Sequence, residues 1–206
     1  MSILERLPEN EIISAVLEAG KLLDGAGAVH EIHAKNRTDF VTDVDVRVQE
    51  TLKARLAELL PEVQFMGEEQ DNSAIDWSRP LWILDPVDGT TNLIRALRHS
   101  AISLGLAEAG RVVFGVVYNP YAGELFTAVL GAGAKLNGRT IHVTAAATLA
   151  ECLVCAGTAP GHREWTELVF RDIRRIYERG LDIRRSGCAS LDLCDVACGR
   201  ADAYEE

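Results

Sequence analysis

The chain has 206 residues, 48% of them apolar and 25% charged, and its 21 basic and 31 acidic side chains leave a formal charge of −10. That is globular composition, long enough for one sizeable core or for one domain and part of a second. No apolar run nears the ~20 residues a bilayer needs and no signal peptide opens the chain, while so acidic a surface is poorly suited to a nucleic-acid polymer, which is held by phosphate neutralisation; a cytoplasmic protein with no membrane contact is expected.

Residues 8–23 read as a first helix. Pro8 stands in its first turn, Ile12, Ile13, Val16 and Leu17 form its apolar stripe, and the run DGAGA ends it. Thr42 can cap a second helix to about Leu60, with Val48, Leu52, Leu56 and Leu60 recurring every fourth residue and Pro61 stopping it. The texture then changes to short strands, VQFMGEE, PLWILD, AISLGLAE, RVVFGVVYNP and GELFTAVL, separated by Gly and Asn-Pro turn signals, which predict an antiparallel meander. ECLVCAG is a further strand. HREWTELVFRDIRRIYERG is a helix with Trp165, Leu168, Val169 and Ile176 expected inward, and the remainder gives a short strand, a turn, a helix of small residues and a last strand. A helix pair, a sheet, then alternating strand and helix fit an α+β or layered α/β architecture. Five cysteines cannot all pair within the chain. Cys152 and Cys155, three apart on a strand, are expected as small apolar residues rather than a zinc or redox pair, and Cys194 and Cys198 as buried on one helical face.

The chemistry concentrates in WILDPVDGTTNL, residues 82–93. Asp85 sits at the mouth of a buried strand, Pro86 keeps it extended, and Asp88 follows three residues later. Two carboxylates crowded against a core repel, and one is driven to protonate unless a cation lies between them. No Lys or Arg follows in the chain until Arg95. Hard oxygen ligands on a short rigid turn suit Mg²⁺, usually held by one or two carboxylates and a substrate phosphate. Gly89, Thr90 and Thr91 then open a short helix whose exposed amides can hold an anion. Carboxylates for metal beside amides for phosphate make a phosphomonoester site in miniature, and the metal resolves the repulsion between an acidic chain and an anionic substrate. Glu68 and Glu69 after a strand, and Asp39, Asp43 and Asp45 around a helix start, can join it; acids at helix N-termini also occur for capping alone. No P-loop, EF-hand loop, H-E-x-x-H helix or nucleophile elbow is present, and five histidines are scattered without zinc-ligand spacing.

These residues resemble the inositol monophosphatase family, the Mg²⁺-dependent, lithium-sensitive phosphatases. DFVTDVD, GEE, DPVDGTTN, GVVYNPYAGELFTA, GAKLNGRTI and SGCASLDLCDVACGRADAYEE stand in the family's order over nearly the whole chain. The resemblance implies a layered α-β-α-β-α sandwich of the sugar-phosphatase kind, commonly a homodimer. Residues 1–145 would form an N-terminal α+β domain carrying the metal and phosphate site, and 146–206 the start of a C-terminal α/β domain. It implies two or three Mg²⁺ ions: Glu68, Asp85 and the Val87 carbonyl at the first, Asp85 and Asp88 at the second, Glu68 also at a third. Gly89 and Thr90 would cradle the phosphate. Glu68, Thr90 and Asp45 are the implied catalytic residues, Thr90 hydrogen-bonded to Asp45 to help activate the attacking water. Lys35 lies near the family's basic flap residue, and Cys188, Ala189 and Glu206 would line the pocket for the alcohol. The implied reaction is hydrolysis of a small phosphorylated polyol or sugar, inositol monophosphate first. Fructose 1,6-bisphosphate, histidinol phosphate and 3′-phosphoadenosine 5′-phosphate are alternatives, as is a non-catalytic metal-binding relative.

Two stretches depart from the family pattern. A Trp-Asp motif whose Asp ligates the second metal is not reached before Glu206, so the C-terminal part is expected to be incomplete, the second metal site weakened and activity low. TNLIRALRHSAIS places Arg95, Arg98 and His99 where the family usually has an aromatic, His-Gly and Pro, in a region expected to approach substrate or a subunit contact. Arg184 and Arg185 are expected at the surface or in partner contacts.

Overall fold

The computed structural model describes residues 2–24, 29, 31–34 and 40–206; Lys35 and Asp39 lie outside them. Helix α1 (Glu9–Asp24) precedes a hairpin of β1 (Ile32–Ala34) and β2 (Phe40–Thr42), and α2 (Asp43–Leu59) follows directly. Thr42 caps α2: its hydroxyl accepts the Val44 and Asp45 amides at 3.2 and 3.4 Å, and the Asp45 carboxylate takes the Thr42 amide in return. Val48, Leu52 and Leu56 are fully buried, as their spacing predicts.

Seven strands then form one sheet in chain order: β3 (Gln64–Gly67), β4 (Leu81–Asp88), β5 (Ala101–Glu108), β6 (Arg111–Asn119), β7 (Glu124–Val129), β8 (Gly133–Leu136) and β9 (Arg139–Thr140), with α3 (Thr90–Ile94) between β4 and β5. From β4 to β9 it is the predicted antiparallel meander, but β3 runs parallel to β4. The thirteen residues from Glu68 to Pro80 carry the chain back across the sheet edge, which a tight hairpin could not do. A second sheet is wholly parallel, in the order β11-β10-β12, built from β10 (Leu153–Ala156), β11 (Asp182–Arg184) and β12 (Ala203–Glu205), with α4 (Thr166–Tyr177) and α5 (Ala189–Ala197) as its crossovers.

Strand periodicity divides the core. On β5 and β6, Ile102, Leu104, Leu106, Phe114 and Val116 face α1 and α2, while Ala101, with Phe126 of β7, faces Leu191 and Cys194 of α5. α5 packs against β12 on its other side, and α4 packs on β11. The layers are therefore α1/α2, large sheet, α5, small sheet, α4, the expected sandwich. One expectation fails: Trp165 and Leu168 are 47% and 49% exposed, and Val169 is the buried residue of α4. The outermost helix has neighbours on one stripe alone, and Trp165 belongs to a 3₁₀ turn, where its ring stacks on His162 at 4.0 Å between centroids. All five cysteines are free thiols; Cys155, Cys188 and Cys194 are buried, Cys152 and Cys198 half-buried. No helix among the described residues is long and apolar enough to cross a membrane.

Candidate active site

The site grows from the end of β4. β3 pairs with β4 as far as Leu84, so Pro86, which has no N–H to give, falls where that side of the strand has no partner. The register with β5 slips between Asp85 and Asp88, a bulge that re-aims both side chains. The Val87 amide donates to Asp85 Oδ1 at 3.1 Å and holds the carboxylate over its own turn. Asp85 is half-buried, and its acidity is pushed up to about 8 by burial and by the charges of Asp88, Glu68 and Asp45. Every one of those charges is negative, so a divalent cation is the group that this donor set fits. Among the described residues no three acidic, His or Cys side chains already close on one point.

Gly89 follows in the left-handed region, φ 85°, where glycine carries no steric penalty. A Cβ there would also stand 3.1 Å from Gly187 O and 3.2 Å from His99 O, so the turn is packed as well as twisted. Asn92 of α3 fixes the turn from behind, donating to His99 O at 2.7 Å and Ser186 O at 3.0 Å. The Thr90 hydroxyl has one proton and two acceptors in reach, Val87 O at 3.0 Å and Asp45 Oδ1 at 3.3 Å. Asp45 is buried, its carboxyl raised by desolvation against the opposing hydrogen bonds from Thr42. Helix α2 therefore delivers through its own cap the carboxylate that meets Thr90.

Glu68 and Glu69 follow β3. Buried Gln49 of α2 accepts the Glu69 amide at 3.0 Å and pins this turn to the helix. From the opposite side, Asp88 Oδ2 accepts the Ser190 amide at 2.6 Å and the Cys188 thiol at 3.2 Å, at the start of α5. One carboxylate thus joins the large sheet to the C-terminal layers.

A cleft of about 450 Å³ opens between them. It is lined by Asp88, Gly89 and Thr90 on one wall and by Cys188, Ala189 and Glu206 on the other, so six of the predicted positions share one cavity. The Ala159 amide and the Tyr204 hydroxyl both donate to Glu206. Asp85, Val87, Glu68 and Asp45 do not line this cavity. Other lining residues were not read as part of the site from the sequence: Phe40, Arg163, Arg185, Asp192 and Tyr204. Distance along the chain hid the two arginines. Arg185, expected at the surface or a partner, lines the cleft, whereas Arg184 is exposed and ion-paired with Asp182. Arg95, Arg98 and His99, expected near substrate or a subunit contact, do not line it; Arg98 bonds to Asp24 at 2.9 Å and lies over the Tyr121 ring.

The model of the inositol monophosphatase family matches residues 9–206. The chain belongs to the inositol monophosphatase family. It is 36% identical over 200 residues to the inositol-1-monophosphatase of Rhizobium meliloti, covering 96% of this chain and 75% of that one. The crystal structure of the extragenic suppressor protein SuhB of Bartonella henselae superposes with a TM-score of 0.89 at 32% identity, over 96% of this chain and 77% of that one. An IMPase/NADP phosphatase solved with Mg²⁺ and phosphate gives 0.81 at 25% identity, over 94% and 72%. This family member is a phosphoric monoester hydrolase with the layered fold of its relatives.

Proposed function

We propose that the chain hydrolyses a small phosphomonoester, inositol monophosphate first, with two or three Mg²⁺ ions held by Glu68, Asp85, the Val87 carbonyl and Asp88. The observation that carries this is Asp85, its carboxyl raised by burial and by three acidic neighbours, next to the Gly89–Thr90 turn that lines the cleft. The carboxylates are hard donors of the kind Mg²⁺ takes, and the cation supplies Lewis-acid stabilisation of charge on the phosphoryl group. The protein's own part is positioning. Gly89 brings the backbone close and, with Thr90, offers amides to the phosphate. Asp45, fixed by Thr42, stands 3.3 Å from the Thr90 hydroxyl, and the pair would orient the attacking water and take its proton. Cys188, Ala189 and Glu206 receive the alcohol, Glu206 as acceptor for a hydroxyl. Glu68 closes the metal side from the turn that Gln49 anchors. The same reading makes the protein a cytoplasmic homodimer, with 1–145 and 146–206 as units that meet at the cleft; light scattering checks the first part.

The test is phosphate release from a panel of phosphomonoesters with and without Mg²⁺, and with added lithium. Release that needs Mg²⁺ and falls with lithium is expected, the best substrate naming the activity. Metal that raises the melting temperature with no turnover of any ester would instead make this a binding module.

A further inference from the structure

The stretch TNLIRALRHSAIS, which departs from the family pattern, puts none of Arg95, Arg98 and His99 on the cleft. It brings Ser100 against the Gly89–Thr90 turn instead. Ser100 is fully buried, and its hydroxyl donates to Gly89 O at 2.9 Å. The Leu93 amide donates to the same oxygen at 3.1 Å, as the first bond of α3. A carbonyl has two lone pairs, and here each has a donor. The segment that delivers Ser100 is strained. Ala96 and Arg98 both lie in the left-handed region, φ 52° and 55°, uncommon for residues with a Cβ. Such positions persist where surrounding contacts over-determine them. Leu93 O accepts the Ala96 amide at 3.0 Å, Asn92 O accepts the Leu97 amide at 2.9 Å, and the Asn92 side chain donates to His99 O at 2.7 Å. The consequence follows from peptide planarity. Gly89 C=O and Thr90 N–H belong to one trans peptide, in which the two bonds point in opposite directions. Donors on Gly89 O therefore fix where the Thr90 amide aims. They also polarise that amide and strengthen it as a donor. Gly89 is the residue whose own freedom would otherwise let this peptide swing.

We infer that Ser100 is a positioning residue for phosphate binding: its hydroxyl holds the Gly89–Thr90 peptide so that the Thr90 amide faces the phosphoryl group. This rests on the phosphatase reading and adds to it a residue that does not line the cleft. Ser100 acts through the turn and touches no reacting atom. The amide it aims is used alike by bound ester, transition state and released phosphate, so its contribution falls on KM and on phosphate affinity rather than on kcat.

The experiment compares the wild type with Ser100→Ala and with Val116→Ala, a truncation in the α1/α2 core. Ser100→Ala leaves Gly89 O its Leu93 donor and removes no carbon from the core, so the variant should fold, and its melting temperature checks it. Inorganic phosphate is titrated in Mg²⁺ by calorimetry and by the Thr90 amide resonance of ¹⁵N-labelled protein, and inositol monophosphate hydrolysis gives KM and kcat. The expected result for Ser100→Ala is a phosphate Kd and a KM raised about five- to tenfold, as loss of one hydrogen bond requires, with kcat changed less than about twofold. Its Thr90 resonance should be displaced before any phosphate is added. Val116→Ala should lower the melting temperature and leave phosphate affinity as it was. Unchanged phosphate affinity in Ser100→Ala, or an equal loss in Val116→Ala, would overturn the inference. If no ester is turned over while phosphate still binds, the phosphatase reading fails separately, and the Kd and the Thr90 resonance decide the role of Ser100. A wild type that binds no phosphate would overturn both.

Discussion

Asp85 is a carboxyl whose ionisation burial and three acidic neighbours oppose. Its carboxyl titrates near 8 in the folded chain, against about 3.9 when unfolded. Between those values the folded state keeps a proton that the unfolded state has lost. Stability therefore falls as pH rises from about 4 to 8 and stays low above that. Asp45, raised by burial, adds to the same slope. In chelator, urea unfolding should show less stability at pH 8 than at pH 5, by roughly 2–3 kcal/mol once solvent screening of a half-buried group is allowed for. Asp85→Asn should flatten most of that difference. Mg²⁺ should reverse it, stabilising more at pH 8 than at pH 5 because the ion takes the ionised form; an equal effect at both pH values would remove the ion from Asp85. Asp88 poses the complementary test. Asp88→Asn keeps an acceptor for the Ser190 amide and nearly the same volume, so the fold should persist. Phosphate release should fall by about 100-fold or more, above the range for groups that merely support a metal ligand. Activity within tenfold of wild type would exclude Asp88 as a ligand.

At the scale of elements, the site is an agreement between strand ends and helix starts. β4 stops pairing with β3 at Leu84, bulges at Pro86 and turns on Gly89 into α3; α2 begins on Thr42 and presents Asp45. The Thr42 cap, the extended Asp85–Pro86 step and the Gly89 turn were legible in the sequence, because each is local: a capping residue, an X-Pro step, a glycine before two threonines; the bulge and the end of the β3 pairing were not. What was not legible depends on contacts between distant segments. Nothing in VQFMGEE says that β3 would run parallel to β4. Nothing near residue 163 or 185 says that two arginines would line one cavity with a turn some 75 to 95 residues earlier, since the docking of the small sheet against the large one brings them there. The inward face of α4 was misjudged for a related reason: an amphipathic pattern reports an apolar side, not how much of it another layer covers. Gly67 is a further contact of this kind. A Cβ there would stand 2.2 Å from Gln49 Oε1 and 3.0 Å from the Phe65 ring. Gly67→Ala should displace Gln49, loosen the Glu68–Glu69 turn and cost about 1–3 kcal/mol. It should also weaken Mg²⁺ binding, read by titration against unfolding in urea. Unchanged metal affinity in a destabilised variant would detach Glu68 from the metal site.

At the scale of the molecule, the cleft exists because α5 lies between two sheets. Its one face buries Leu191 and Cys194 against Ala101 and Phe126 of the large sheet, its other meets β12, and its first turn takes the Asp88 carboxylate. The small sheet has just three strands of three or four residues, and Val154, Cys155 and Ala156 of β10 are its buried residues. The large sheet has its own extensive core with α1 and α2. Stability should be unequal in consequence, lowest where the second cavity wall is made. Leu191→Ala removes the central contact of the shared layer and should cost about 2–4 kcal/mol. The loss should appear as faster amide hydrogen exchange in β10, β12 and α5, with β4 to β6 keeping their protection. Since Cys188, Ala189, Arg185 and Glu206 ride on these elements, substrate affinity should fall with that protection, while Mg²⁺ bound by Glu68 and Asp85 on the large-sheet side should be less affected. Uniform loss of protection across both sheets would show instead that the layers unfold as one unit, and the proposed division near residue 145 would then have no energetic meaning.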